Sequence, residues 1–267
     1  MPPKWIAPRL RCGLGNRLFQ TVATVSAAER TGSEAVLFLP RMSHFEHGSF
    51  TVLHSLFPNL RIVETESEWL EITETDTSEI PQINTDKPVV LTGFFQNSKN
   101  FPSPAIYPRL PNVACPRKAW AVHFRFGDYC LLPHHQINGL NRYYYQAIAK
   151  IPIGSTITLF SDSPERLPKI AEELTNYNVE IFTNSDILET LKAFAACQEG
   201  SVCGNSTFSW WAAFFAANTY FSTTYKAYFP DKWINDKAPK VFTLPFTQVI
   251  EISSLPAFPI LSSFSFS

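Results

Sequence analysis

The sequence predicts an α/β protein in two lobes, each built on a parallel sheet, and three observations lead there. Short aliphatic or β-branched runs alternate with helical patterns along most of the chain, the sequence sign of successive βα units. A stretch from Asn97 to Pro116 interrupts that alternation with Pro102, Pro104, Pro108, Pro111 and Pro116, too many for a helix or a central strand. The chain has 267 residues, enough for two compact units, since domains usually run roughly 100–200 residues. The lobes are expected over residues 1–115 and 116–267, with the hinge in the proline-rich stretch.

In the first lobe the opening strand is expected at Pro8–Cys12. After Gly13-Leu14-Gly15, Asn16 is expected to cap a helix running to about Arg30, because Leu18, Phe19, Val22 and Val25 share a face at helical spacing. A second strand is expected at Ala35–Leu39. The polar, acidic segment from Thr65 to Pro88 reads as a surface excursion, and Val89–Phe95 as a buried strand. In the second lobe the spacing predicts strands at Ala119–Phe124, Thr156–Phe160, Val179–Phe182 and near Ser201–Cys203. Helices are expected at Tyr143–Lys150, Glu165–Asn176, Asp186–Cys197 and from Thr207, the last with Phe208, Trp211, Ala212 and Phe215 in the core. The tail from Pro245 reads as irregular.

Composition narrows the function classes. Hydrophobic residues make up 45% of the chain and charged residues 17%, the balance of a folded globular protein. The net charge is −1, so no global field recruits nucleic acid or an anionic membrane, and any phosphate must be gripped locally. Cys12, Cys115, Cys130, Cys197 and Cys203 are odd in number and irregular in spacing, without a C-x-x-C pair, which fits a reducing compartment rather than zinc or a disulfide framework. The N-terminus has no apolar run of signal-peptide type. The richest apolar run, Phe208 to Ala217, is about half of the ~20 residues a membrane helix needs. No integral membrane segment is expected, and the location read from these features is cytoplasmic. The sequon Asn205-Ser206-Thr207 falls at a candidate binding loop, where a glycan would be ruinous.

Four segments carry candidate chemistry. Gly13, Gly15 and Asn16 lie where a strand turns into a helix, and glycines there let the backbone approach a phosphate at the helix N-terminus. A plain strand–turn–helix explains them equally well. A dinucleotide fingerprint would need a third glycine where Leu18 stands, which argues against NAD. His123-Phe124-Arg125-Phe126-Gly127-Asp128-Tyr129 ends a strand, and Arg125 is a permanently charged planar fork suited to a diphosphate. The alternative is a surface pair of Arg125 with Asp128 and a core His123. Asn205, Ser206 and Thr207 precede an aromatic helix and would offer hydroxyls and N–H groups to phosphate, or act as a simple cap. Asp162, in Phe160-Ser161-Asp162, would accept from a base or cap the next helix.

Taken in order, the string GxGNxxFQ, then HxRxGDY, a tyrosine-containing segment at Tyr144 to Ile148, FSD, and NSTFSWWAA resembles glycosyltransferase family 11, the α-1,2-fucosyltransferases. The resemblance covers roughly Leu10 to Trp233, and the NSTFSWW segment is its most specific part. More distantly the first elements look like those of the α-1,6- and protein O-fucosyltransferases. It implies a GT-B architecture, two Rossmann-like lobes facing across a cleft, with inversion at the transferred sugar carbon. GDP-fucose or a related nucleotide sugar would be the donor, an oligosaccharide or other glycan the acceptor, and no cofactor or metal would be required. By the same resemblance Arg125 takes the donor phosphate, His123 and Asp162 lie near guanine, Ser206 and Thr207 hold phosphate, and Gly13, Gly15 and Asn16 approach the pyrophosphate from the first lobe. Asp128 is the nearest carboxylate to serve as general base. The family usually has a second arginine directly after the first; here that position is Phe126. Two alternatives stay open: another nucleotide-sugar donor on the same scaffold, and a nucleotide- or carbohydrate-binding protein without turnover.

Overall fold

In a computed structural model the described residues are 3–38, 50–64, 68–113, 115–132, 135–219, 224–233 and 247–251. The chain divides into two units, the first built on Met1–Pro111 and the second on Asn112–Pro239 and Thr243–Ser267. The division falls inside the proline-rich stretch, whose regular structure is two single 3₁₀ turns, Ser98–Asn100 and Pro104–Ile106.

The first unit runs β1 (Trp5–Pro8), α1 (Leu14–Thr31), β2 (Glu34–Phe38), α2 (Phe50–Leu56), β3 (Arg61–Val63), β4 (Leu70–Thr73) and β5 (Val89–Thr92). Its five strands are all parallel, in the order β3-β2-β1-β5-β4. Helix α1 packs on one face, where Ala23 and Ala27 meet Ile6, Val89 and Leu91 in a shared cluster. Leu18, Phe19, Val22 and Val25 are all buried, as the helical spacing predicts. Gly32 ends α1 in the left-handed conformation, φ 68°, which a residue with a Cβ adopts at a cost.

Several local expectations are corrected here. The first strand is Trp5–Pro8, not Pro8–Cys12: Cys12 has φ 63°, which breaks an extended run, and the Arg11 N–H is taken by the Gln20 side chain at 3.0 Å. The helix starts at Leu14 with extended Gly13 as its N-cap, so Gly15 is a helical residue and Asn16 is not the cap. The Thr65–Pro88 segment contains β4, a four-residue edge strand paired with β5 in which only Ile72 is partly buried. In the tail, Thr247–Ile250 forms β11 on the edge of the second sheet, and residues 252–267 lie outside the described residues.

The second unit runs β6 (Trp120–Phe124), α3 (Leu140–Ile148), β7 (Thr156–Ser161), α4 (Leu167–Glu173), β8 (Asn178–Ile181), α5 (Ile187–Ala196), β9 (Gly200–Val202), α6 (Thr207–Thr219), β10 (Ala227–Pro230) and β11. The expected helix at Glu165–Asn176 is shorter, a 3₁₀ turn at Pro164–Arg166 leading into α4. The sheet order is β11-β10-β9-β6-β7-β8, again all parallel. Strand β6 is buried at every residue, which is why it reads as a continuous apolar run. Helix α6 is buried from Ser209 to Ala216 with no polar face. Trp211, Ala212 and Phe215 are core as expected, whereas Phe208 is partly exposed.

In the first sheet the chain steps from β1 out to β3, crosses to the far edge at β4 and comes back inward to β5 beside β1. In the second sheet it steps outward from β6 to β8 and then outward on the other side from β9 to β11, so the strand order reverses between β6 and β9. Crossovers leave such a pair in opposite directions and open a crevice at the carboxyl ends of the strands, the usual ligand position in open α/β sheets.

Candidate functional site

Strands β6 and β9 place the two most chemically loaded segments side by side. His123 and Arg125 stand at the carboxyl end of β6, and Gly204 to Thr207 link β9 to α6. Strand β7, on the other side of β6, ends at Ser161 and delivers Asp162.

The Arg125 guanidinium is gripped from two sides. One terminal nitrogen donates to Asp162 Oδ2 and the other to Asp128 Oδ1. The plane lies over the Tyr129 ring, 5.0 Å from its centroid. Asp162 Oδ1 accepts the Phe126 N–H at 2.9 Å, and Ser163 Oγ accepts the Gly127 N–H at 3.3 Å, so the loop after β6 is tied to the end of β7. A Cβ at Gly127 would collide with the Asp162 carboxylate, so only glycine passes there. About a quarter of the Arg125 side chain is exposed, and nearly half of Asp128. One cation thus faces two carboxylates, and Asp128, the more exposed, is the one an anion can displace.

Phe126 points the other way. It is buried in the main apolar cluster, parallel to Phe124 at 5.8 Å, with the Arg166 guanidinium 4.1 Å from its ring. A side chain at this position faces core, not the loop crevice.

His123 is buried against Phe208, with ring centroids 5.6 Å apart, and its Nδ1 has no hydrogen-bond partner among the described residues. Burial, assisted by the Arg125 charge, pushes its pKa down to about 3, so the ring is neutral at physiological pH.

At the end of β9, Asn205 is a strut. Its amide donates to the carbonyls of His135 at 3.3 Å and Trp233 at 3.2 Å, and its buried Oδ1 has no partner among the described residues. Ser206 is the helix cap, its Oγ accepting the Phe208 N–H at 3.2 Å. Thr207, partly exposed, is the first residue of α6. Arg125, Tyr129, Cys130, His135 and Asn205 line a small pocket of about 10 Å³, room for about one water.

The structure therefore gathers His123, Arg125, Asp128, Asp162, Asn205, Ser206 and Thr207 around one sheet reversal. Gly13, Gly15 and Asn16 form a separate group in the first unit, at the end of β1. There Asn16 Oδ1 accepts from Gln96 Nε2 at 2.9 Å and Arg11 stacks on Phe94 at 4.8 Å, joining the loops after β1 and β5. Sequence reasoning missed Gln96 and Phe94 and gave Tyr129, part of the quoted motif, no role of its own, because these side chains act through contacts that no local pattern encodes. Among the described residues no group of three or more His, Cys, Asp or Glu is placed to hold a metal ion, and no helix is long and apolar enough to cross a membrane.

Two parallel sheets with interleaved helices make this an α/β protein, and its fold is of the GT-B type. Solved structures of similar fold are those of the fucosyltransferase NodZ from Bradyrhizobium. A selenomethionyl form superposes with a TM-score of 0.50 at 13% identity, covering 81% of this chain and 92% of that one. A second NodZ structure gives 0.51 at 12%, covering 79% and 93%. A point mutant of Arabidopsis thaliana FUT1 in complex with GDP gives 0.45 at 9%, covering 85% and 70%. At such identities the likeness is one of fold. No family model and no curated protein matches the sequence.

Proposed function

We propose that the chain is an inverting glycosyltransferase that takes a GDP-sugar, GDP-fucose foremost, and transfers the sugar to a hydroxyl of a glycan acceptor. The observation that carries this reading is the juxtaposition of Arg125 with the N-terminus of α6 at the β6/β9 reversal. A fixed guanidinium and the N-terminus of a 13-residue helix converge where α/β sheets hold phosphates. The NodZ fold, and the order of motifs along the sequence, support fucose as the sugar.

In this reading the acceptor oxygen attacks the anomeric carbon as the bond to the β-phosphate oxygen breaks, and GDP leaves with the added charge. Arg125 and the α6 N-terminus meet that charge with preorganised donors, without a metal ion. Asp128 yields its place on Arg125 to the phosphate and then takes the acceptor proton. Asp162 keeps Arg125 aimed; a contact to guanine would require it to release the Phe126 N–H.

The test is titration calorimetry in EDTA with GDP, UDP and NAD. GDP alone is expected to bind, and hydrolysis of GDP-fucose without acceptor would show turnover. UDP binding as tightly as GDP would remove the guanine assignment.

A further inference from the structure

Resting on the reading that the β6/β9 reversal binds a diphosphate, we infer that Tyr144 and Gly204 form a lock that sets the spacing between Arg125 and the N-terminus of α6. Tyr144 would then be a positioning residue, acting on the donor through the backbone that carries Arg125.

Tyr144 belongs to α3, an element that supplies none of the residues assigned to the donor. Its side chain is fully buried, and its hydroxyl donates to the His123 carbonyl at 2.8 Å. One phenol, through its O–H donor, thus holds the His123 carbonyl just before the turn out of β6. Burial raises its pKa well above the usual phenol value, so it stays protonated and keeps the donor. The β6–β9 pairing stops at Val122 and Val202, and the two chains diverge there. Tyr144 fills the point of divergence. A Cβ built on Gly204 would lie 2.5 Å from the phenol oxygen, while its next neighbours, His123 O and Arg125 Cβ, are at 3.4 and 3.8 Å. Gly204 is therefore glycine for room and not for backbone conformation, since its φ is not in the positive region. Next door, the Tyr143 hydroxyl reaches the carbonyls of Cys203 at 2.6 Å and Tyr228 at 2.7 Å, fixing the ends of β9 and β10 in the same manner.

The experiment is a double-mutant cycle on GDP affinity, measured by calorimetry where circular dichroism shows every variant folded. Tyr144→Phe keeps the ring and removes only the oxygen. It should weaken GDP binding about tenfold, the order expected when one buried hydrogen bond is lost and its partners are left unsatisfied. Gly204→Ala should weaken it at least as much by forcing the α6 loop away. The pair Tyr144→Phe/Gly204→Ala should bind no worse than Tyr144→Phe alone, because the clashing oxygen is gone. A role confined to stability would lower the unfolding temperature of these variants and leave the affinity of the folded protein unchanged. Equal GDP affinity in all four proteins, or strictly additive losses, overturns the lock while leaving the diphosphate reading intact. Failure of the wild-type chain to bind GDP overturns that reading, and the lock with it.

Discussion

Two carboxylates already hold Arg125, so in the proposed function a diphosphate would have to compete with them, and that competition makes its neighbours testable one at a time. Arg125→Ala should lower turnover at saturating donor by at least about 10²-fold, the usual cost of losing a preorganised donor at developing charge. Arg125→Lys should recover only part, since an ammonium keeps the charge and loses the fork. Asp128→Asn separates two roles. A displaceable counter-ion predicts tighter GDP binding and preserved turnover, whereas a general base predicts tighter binding with turnover lost. Unchanged turnover in Arg125→Ala would put the active site elsewhere. His123 gives a second residue-scale prediction. Its folded pKa of about 3 lies below the unfolded value, so as pH falls from about 6.5 the unfolded chain gains a proton that the native state refuses. Stability should therefore drop by roughly 1.4 kcal/mol per pH unit in that window, ahead of the carboxylate titrations. Urea denaturation of His123→Gln between pH 6.5 and 5 should show a flatter slope than wild type.

Strands read well from the sequence where both faces are buried, and poorly at sheet edges. The apolar runs of β6 and β7 were legible because parallel strands under helices on both faces keep few polar positions. β4 and β11, at opposite edges of their sheets, carry Glu71 and Gln248 among exposed neighbours and look like loop. The site divides along the same line. Its location was readable, because His123 to Asp128 and Asn205 to Thr207 follow buried strands. The partners of Asp162 and Asn205 were not, since they come from loops 28 to 70 residues away. Gly200 shows how tightly the central strands of the second sheet approach. It has φ 149°, and a Cβ there would strike the Trp120 indole and sit 2.7 Å from the Lys226 carbonyl. Trp120 is its register partner on β6. Gly200→Ala should thus destabilise the second unit by about 1–3 kcal/mol, as overpacking of a filled core does. A denaturant midpoint equal to wild type would mean that the indole moves aside freely.

Each unit has its own parallel sheet and its own buried clusters, and the chain as a whole carries a net charge of −1. With no long-range field to draw an anion in, nucleotide affinity must come from the few groups that touch it. Such binding stabilises whatever must be folded to form the site, by about 2.7 kcal/mol at a hundredfold excess over Kd. Amides that exchange only when the second unit unfolds should then slow by about a hundredfold, which corresponds to that energy. Hydrogen exchange with and without saturating GDP reads this strand by strand. Amides in β6, β7, β9 and α6 are expected to slow together. In the first unit, the β1, β2 and β5 amides act as the internal control, because their ladder belongs to a separate sheet. Slowing confined to the first turn of α1 would assign Gly13, Gly15 and Asn16 to the nucleotide, and its absence would leave them the ordinary start of a helix. Protection of the first unit's sheet without that of the second would refute the assignment of the donor to the β6/β9 reversal.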